Sequence, residues 1–189
     1  GATLAYERLA DALLLRGADP GIAPGGHGAS RSLPAVQAFT NGQSALEEWD
    51  LDAVDSAFQL ALRFDPQHAR AAFWLAQVRA WQDQRPNAWG TLADRALAID
   101  GLSERERALA QALVHLSHGR YANACSIYER LIARSDRDFA GWFGLGQCEM
   151  QNKIVIPDAS SPSGWRFQAN TQRGMNAYLN AFEILPSVY

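Results

Sequence analysis

Two stretches of this chain align with each other, without a gap, at a separation of 70 residues. One is Trp49-Asp50-Leu51-Asp52-Ala53-Val54-Asp55-Ser56-Ala57-Phe58, continued by Ala61-Leu62 and closed by Asp65-Pro66. The other is Gly119-Arg120-Tyr121-Ala122-Asn123-Ala124-Cys125-Ser126-Ile127-Tyr128, continued by Leu131-Ile132. Trp142-Phe143-Gly144-Leu145-Gly146 begins a further unit. Between these landmarks apolar residues recur at spacings of three and four, and strict alternation is rare, so the segments are helices. A repeat of about 35 residues with two helices in each is an array in which every pair buries its apolar face only against its neighbours.

Four units follow from this phase. Residues 35–68 carry Gly42, Phe58, Ala61 and Pro66 in register. Residues 69–103 carry Leu75, Ala76, Ala88 and Leu92, shift by one residue near Ala96 and lack a closing proline. Residues 105–138 carry Ala112, Ala124 and Tyr128. Residues 139–189 open on Trp142, Leu145 and Gly146, and their second helix, marked by Tyr178, Ala181 and Pro186, is displaced by an insertion at 152–168. Gly42, Ala76, Ala112 and Gly146 are small because paired helices cross closely there, and Ala61 and Ala124 do the same from the second helix. Phe58, Leu92, Tyr128 and Tyr178 fill the space toward the next unit. Asp65-Pro66 ends a helix, because the residue before proline is pushed out of helical geometry.

This pattern resembles the tetratricopeptide repeat, with its Trp-x2-Leu-Gly start, its Ala-x3-Phe/Tyr core and its closing proline. The resemblance covers about four-fifths of the chain. It implies an all-α fold, a right-handed α-solenoid of helix pairs, and a protein-binding rather than catalytic role. It also implies that the first helix of each pair lines a concave groove. Carried over residue by residue, one row of that groove is Phe39, Phe73, Leu109 and Phe143. A second is Gln43, Gln77, Leu113 and Gln147. Leu46, Trp81, Leu116 and Met150 lie further along, and Arg70 is the clearest cation. Some relatives clamp an acidic peptide tail with lysine and asparagine; aromatic residues and leucines stand at those positions here, so that function is not expected. The ligand expected instead is another protein subunit, or an amphipathic or extended apolar peptide oriented by the glutamines. Phe73 and Trp81 are the expected hot spots. The chain's own Thr3–Arg16 segment, or residues beyond Tyr189, are the alternative occupants.

Residues 1–16 read as an N-terminal amphipathic helix, without the basic start and small-residue cleavage site of a signal peptide. Residues 17–32, rich in glycine and proline, read as a linker. The chain begins at Gly1 rather than methionine, which suggests processing, trimming or excerpting. No polar cap follows Pro186-Ser187-Val188-Tyr189, so either the chain continues or a partner covers the array's end. The insertion 152–168 contains two prolines, four serines or glycines around them, and no helical period. Its apolar residues Ile154, Val155, Ile156, Trp165 and Phe167 either tuck onto the array's flank or form a partner-binding finger; Ile154, Ile156, Trp165 and Phe167 are the binding candidates.

Catalytic arrangements are absent from the sequence pattern. No nucleophile sits beside a recognisable base. His115 and His118 have a metal-compatible spacing without further ligands, so no metal site and no cofactor are expected. His27 and His68 read as turn residues. Gly25-Gly26-His27-Gly28 lacks the Lys-Ser/Thr of a phosphate loop. Glu47-Glu48 and Glu104-Arg105-Glu106-Arg107 read as solvated faces. Cys125 and Cys148 fall on neighbouring helices; sequence does not set their geometry, and buried free thiols are the expectation. Among 189 residues, 48% are hydrophobic and the net charge is −3, which argues against disorder and against nucleic-acid binding. No apolar run is long enough to span a membrane.

Ser32-Leu33-Pro34-Ala35 with Phe39 and Gly42, together with Ser161-Pro162-Ser163-Gly164-Trp165-Arg166-Phe167, is similar to repeat regions of bacterial multidomain regulatory proteins. In those proteins the repeats follow a regulatory domain and often a membrane helix. The expectation is therefore a scaffold or accessory subunit of a larger bacterial assembly associated with a membrane protein complex, on the periplasmic face of the membrane. The alternatives are a peptide-binding sensory module of a longer signalling protein, and a cytoplasmic location.

Overall fold

The computed structural model describes Ser30 and residues 32–185, and these are helical apart from one short hairpin. In chain order they form α1 (Leu33–Glu47), α2 (Leu51–Phe64), α3 (Ala69–Trp81), α4 (Pro86–Ala98), α5 (Glu104–Ser117), α6 (Tyr121–Arg134) and α7 (Phe139–Gln151). The strands β1 (Val155–Pro157) and β2 (Trp165–Phe167) follow, and α8 (Thr171–Ile184) is last. The starts of α1, α3, α5 and α7 fall within two residues of the four units expected from the repeat. The helix expected at 1–16 and nearly all of the linker at 17–32 lie outside the described residues.

Side chains just ahead of the helices set where they begin. The Asp50 carboxylate accepts from the Ala53 N–H at 3.0 Å, and Asp138 accepts from Gly141 at 2.9 Å. Asn170 accepts from Arg173 at 3.0 Å. Each occupies the N-cap position, where an oxygen satisfies an amide that has no partner inside the helix. His68, expected as a turn residue, is a buried N-cap: its Nδ1 accepts from Ala71 at 3.3 Å. Three interhelical turns pass through a single left-handed residue, Trp49 (φ 57°), Asp83 (φ 54°) and Gly119 (φ 67°). Only glycine takes that conformation without steric cost.

The chain divides into two compact units, residues 1–107 and 108–189. In the first, α1 packs on α2, α2 on α3 and α3 on α4. Its core gathers Phe39, Val54, Phe58, Ala61, Ala71, Leu75 and Val78. Gly42 is small because the Phe58 ring lies where its side chain would be. An ion pair joins α2 to α3: Arg79 Nε lies 2.7 Å from Asp55 Oδ2. In the second unit α6 packs on α7 and α7 on α8. The fully buried Tyr128 occupies the space left by Gly144, and Tyr178 that left by Gly146, where an added Cβ would lie 2.7 Å from the ring.

One expectation changes here. Cys125 and Cys148 are not free thiols: they form a disulfide between α6 and α7, with Cα atoms 5.7 Å apart. The repeat placed them on adjacent helices, but only the antiparallel register of those helices brings the two Cβ atoms together. The insertion, without helical period in the sequence, contains two short strands. Val155 pairs with Phe167, Ile156 with Arg166 and Pro157 with Trp165 in an antiparallel hairpin.

Candidate functional site

Pairing fixes which side chains of the hairpin share a face. Successive residues of a strand point to opposite sides, and cross-strand partners point to the same side. Val155, Pro157, Trp165 and Phe167 therefore form one face, and Ile156 and Arg166 the other. The first face is entirely apolar and lies in solvent: Val155 is 49% exposed, Trp165 55% and Phe167 62%. Rings and branched side chains of this size usually go inside. Ile154 is also exposed and Ile156 half-buried, so the insertion does not tuck its apolar residues away.

Polar contacts hold the hairpin in this form. At its base the buried Asn152 donates through Nδ2 to Gln168 Oε1 at 3.1 Å and accepts from the Ile154 N–H at 3.0 Å. The Gln168 N–H closes the ladder on the Ile154 carbonyl at 2.8 Å. At its tip Asp158 accepts from the Ser160 hydroxyl at 2.6 Å and from the Ser160 N–H at 2.9 Å, with Arg166 Nε 3.3 Å away. The Ser160 hydrogen bonds first, and the Arg166 charge with them, hold the Asp158 carboxyl below the usual carboxylate range. Below the hairpin, buried Glu149 accepts from the Asn170 N–H at 2.6 Å and pairs with Arg173, which also reaches Glu129. A polar tip on a fixed base leaves the apolar side as the surface the hairpin presents.

The groove residues are placed differently. In the first unit Phe39, Phe73 and Gln77 are buried, and Gln43, Arg70 and Trp81 half-buried. Phe39 packs on Phe58, with ring centroids 5.2 Å apart, and on His68 at 4.8 Å. Trp81 packs on Trp49 at 5.2 Å. In the second unit Leu109, Leu113 and Gln147 are buried and Phe143 half-buried, edge-on to Tyr178 at 5.2 Å. None of these ten is exposed. Of the residues further along the groove, Leu46 is half-buried, Leu116 is buried, and Met150, on α7, lies in solvent.

Arg70 is not a free cation. Its Nε lies 2.8 Å from Glu106 Oε1, which also accepts from Trp74 Nε1 at 3.1 Å, and its guanidinium carbon sits 5.3 Å from the centre of the Phe39 ring. Glu106, expected on a solvated face, is buried. Ser103 and Glu106 bond reciprocally, the Ser103 N–H to Glu106 Oε2 at 3.0 Å and the Glu106 N–H to Ser103 Oγ at 3.2 Å. That reciprocity is a capping box, and the Ser-x-x-Glu spacing was the signal for it. Burial pushes the Glu106 carboxyl up, but Arg70 and the Ser103 hydrogen bonds outweigh it and hold the group below its ordinary value. Burial lowers His68 from 6.5 to about 4, so the capping imidazole is neutral near pH 7.

Among the described residues no group of three metal-ligating side chains is assembled, and no helix is long and apolar enough to cross a membrane. His115 is half-buried and His118 exposed. The arrangement can offer apolar area for docking, which a short hairpin on a rigid base does at little ordering cost. No protein-family model matches the sequence, and comparison with curated proteins finds no match. Sequence reasoning left Val155 out of its binding candidates and missed Pro157 on the exposed apolar face, and it missed the exposed Met175 and Leu179 on α8. Alternation in Val155-x-Pro157 and Trp165-x-Phe167 around a Ser-Pro-Ser-Gly turn was the available signal for the first two.

Proposed function

We propose that this chain is a non-catalytic protein–protein interaction scaffold, a right-handed solenoid of four tetratricopeptide-like pairs. It serves as an accessory subunit docked in a larger bacterial assembly at a membrane. The observation that carries this reading is the exposed apolar face of Val155, Pro157, Trp165 and Phe167. Aromatic residues grouped on a rigid element are the usual anchors of protein interfaces. The Cys125–Cys148 bridge supports the periplasmic side, since disulfides persist in oxidising compartments.

The test is mild purification of the native protein from its source, with mass spectrometry of what accompanies it, repeated for Trp165→Ser with Phe167→Ser. A fixed set of membrane-complex subunits at constant ratio, lost in the double variant, is the expected result. Both side chains lie in solvent, so thermal stability should change by less than about 0.5 kcal/mol. Partner retention in the variant would reject the hairpin as the docking element.

A second reading, a sensory module that binds a peptide in the groove, has one observation in its favour. The Gln77 amide is fully buried with neither its oxygen nor its nitrogen hydrogen-bonded. An extended peptide backbone would satisfy both atoms once the side chains that cover them move aside. Gln77→Leu separates the readings: loss of micromolar peptide affinity supports the groove, whereas a gain in stability with no binding change makes the amide a packing defect.

A further inference from the structure

We infer that the outer edge of β1 takes up an extended segment of the docked partner, added antiparallel as a third strand of the hairpin, with acidic residues toward that segment's C-terminal end. The inference rests on the hairpin being the docking element, and it names how the hairpin docks.

The ladder fixes which backbone groups look outward. Along an antiparallel pair, successive residues alternate between bonding across the ladder and pointing away from it. The Gln168 N–H bonds to the Ile154 carbonyl at 2.8 Å and the Asp158 N–H to the Gly164 carbonyl at 2.9 Å, so positions 154, 156 and 158 face β2. Val155 and Pro157 therefore turn their backbone to the other side. On β2 the outward positions are Trp165 and Phe167.

The two edges differ. On β2 the Ser163 hydroxyl donates to the Trp165 carbonyl at 3.0 Å and accepts from the Trp165 N–H at 3.4 Å. The Arg166 guanidinium donates to the Phe167 carbonyl at 3.2 Å. Nearby side chains thus close that edge, apart from the Phe167 N–H. On β1 no such contact forms among the described residues: the Val155 N–H and the carbonyls of Val155 and Pro157 meet no partner there. Pro157 offers no N–H, and a strand tolerates proline where that N–H would point away from the ladder. An open edge of this kind is a template for a further strand.

Charge describes the occupant further. The insertion carries Lys153, Asp158 and Arg166 as its charged residues. Arg166 and Asp158 pair with each other at 3.3 Å. Lys153, exposed just ahead of β1, has no opposite charge among the described residues. A strand antiparallel to β1 passes Lys153 with its C-terminal end, so acids belong there. Val155 exchanges both its bonds with one residue of that strand, and side chains joining the apolar face are apolar. A second copy fits less well. Pairing Val155 with its counterpart brings Lys153 of one copy beside Pro157 and Asp158 of the other, and that acid is already held by Ser160 and Arg166. The sequence of residues 1–29 also fits less well, since it has a helical period and then Pro20 and Pro24, which lack donors that a paired strand needs.

The test follows backbone amides by NMR in the isotope-labelled full chain, titrated with the peptide acetyl-Thr-Val-Thr-Val-Thr-Glu-Glu-amide. Its second valine is the residue expected opposite Val155. The Val155 amide should shift and saturate. N-methylation of the second valine removes the donor to the Val155 carbonyl and should weaken binding about tenfold or more. N-methylation of the third threonine, whose N–H points away from β1, should cost about twofold or less. Lys153→Glu should weaken binding about fivefold, and lysines in place of the two glutamates should restore it. Equal losses from the two N-methylations, shifts at Trp165 and Phe167 without one at Val155, or no binding at about 1 mM peptide would overturn the proposal. A Val155 amide already protected from hydrogen exchange in the isolated chain would overturn it too. Protection that survives dilution would then assign the edge to the chain's own residues, and protection lost on dilution to a second copy. No native partner enters this experiment. An inert peptide beside co-purification that is lost in Trp165→Ser with Phe167→Ser would refute the edge and keep the hairpin reading, whereas retained co-purification refutes the hairpin reading itself.

Discussion

Three interhelical turns spend one left-handed residue each, at Trp49, Asp83 and Gly119, whereas the turn between α7 and α8 occupies residues 152–170. Both kinds of turn seat an aromatic of the second helix against a glycine of the first, Phe58 at Gly42 and Tyr178 at Gly146. The long turn leaves Val155, Trp165 and Phe167 in solvent, and Met175 and Leu179 follow on α8. Packing alone explains the short turns. It does not explain the long one, because burying these residues would stabilise the fold by about 2 kcal/mol each. The proposed scaffold role accounts for that surface, since a docked partner would cover it.

The comparison breaks most severely at the α6–α7 junction. Gly144→Leu drives a side chain into the Tyr128 ring, which is fully buried and has nowhere to move. Overpacking of this kind should cost about 3 kcal/mol or more. Chemical denaturation followed by Tyr and Trp fluorescence measures it, and a cost below about 1 kcal/mol would mean the helices do not cross there.

Removing the disulfide comes next. The bridge closes a loop with a separation of 23 residues, so Cys125→Ala with Cys148→Ala should lower stability by about 3 kcal/mol. Reduction of the wild-type chain should reproduce that loss, and Asp55→Ala, at the matching position of the first unit, should not be sensitive to reductant beyond the wild type.

A smaller effect separates the buried caps. Folded His68 takes up a proton only near pH 4, whereas the unfolded imidazole does so near 6.5. The unfolded chain therefore binds more protons in that window. Stability should be level above pH 6.5 and fall by up to about 3 kcal/mol on going down to pH 4. His68→Asn keeps a capping oxygen and should flatten that decline. Glu106, held below its ordinary value, contributes stability above the unfolded carboxylate range that is lost only as pH falls further, so Glu106→Gln should remove that lower decline while the His68 decline persists. A decline that persists in His68→Asn would place the titration elsewhere.

The mildest change sharpens the likeness of the two junctions. Tyr128 stands where the first unit has Phe58, and its hydroxyl is buried without a hydrogen-bond partner. Burial pushes its ionisation up, so the group stays neutral. Tyr128→Phe should raise stability by about 1 kcal/mol in urea titrations. A loss would reveal a partner for the hydroxyl.

The helix pairs were legible because repetition constrains them twice, once by local period and once by phase. Gly42, Gly146 and Asp65-Pro66 each marked a close crossing or an end at its observed place. The expected groove row read differently in the structure because its positions serve packing first: Phe39 meets Phe58, and Arg70 meets Glu106. A repeat position tells which neighbour a residue faces, not whether that neighbour fills the space. The disulfide was hidden because sequence sets helix adjacency but not register. The hairpin was hidden because three-residue strands carry too little alternation to outweigh their prolines and glycine.

The most direct measurement is hydroxyl-radical footprinting of the native assembly against the isolated chain, read residue by residue. Trp165 and Phe167 should react strongly in the isolated chain and be protected in the assembly, while the buried Phe73 stays unreactive in both. Full reactivity of those two residues within the assembly, with protection appearing around Arg70 and Trp81 instead, would contradict the account and move the working surface to the groove.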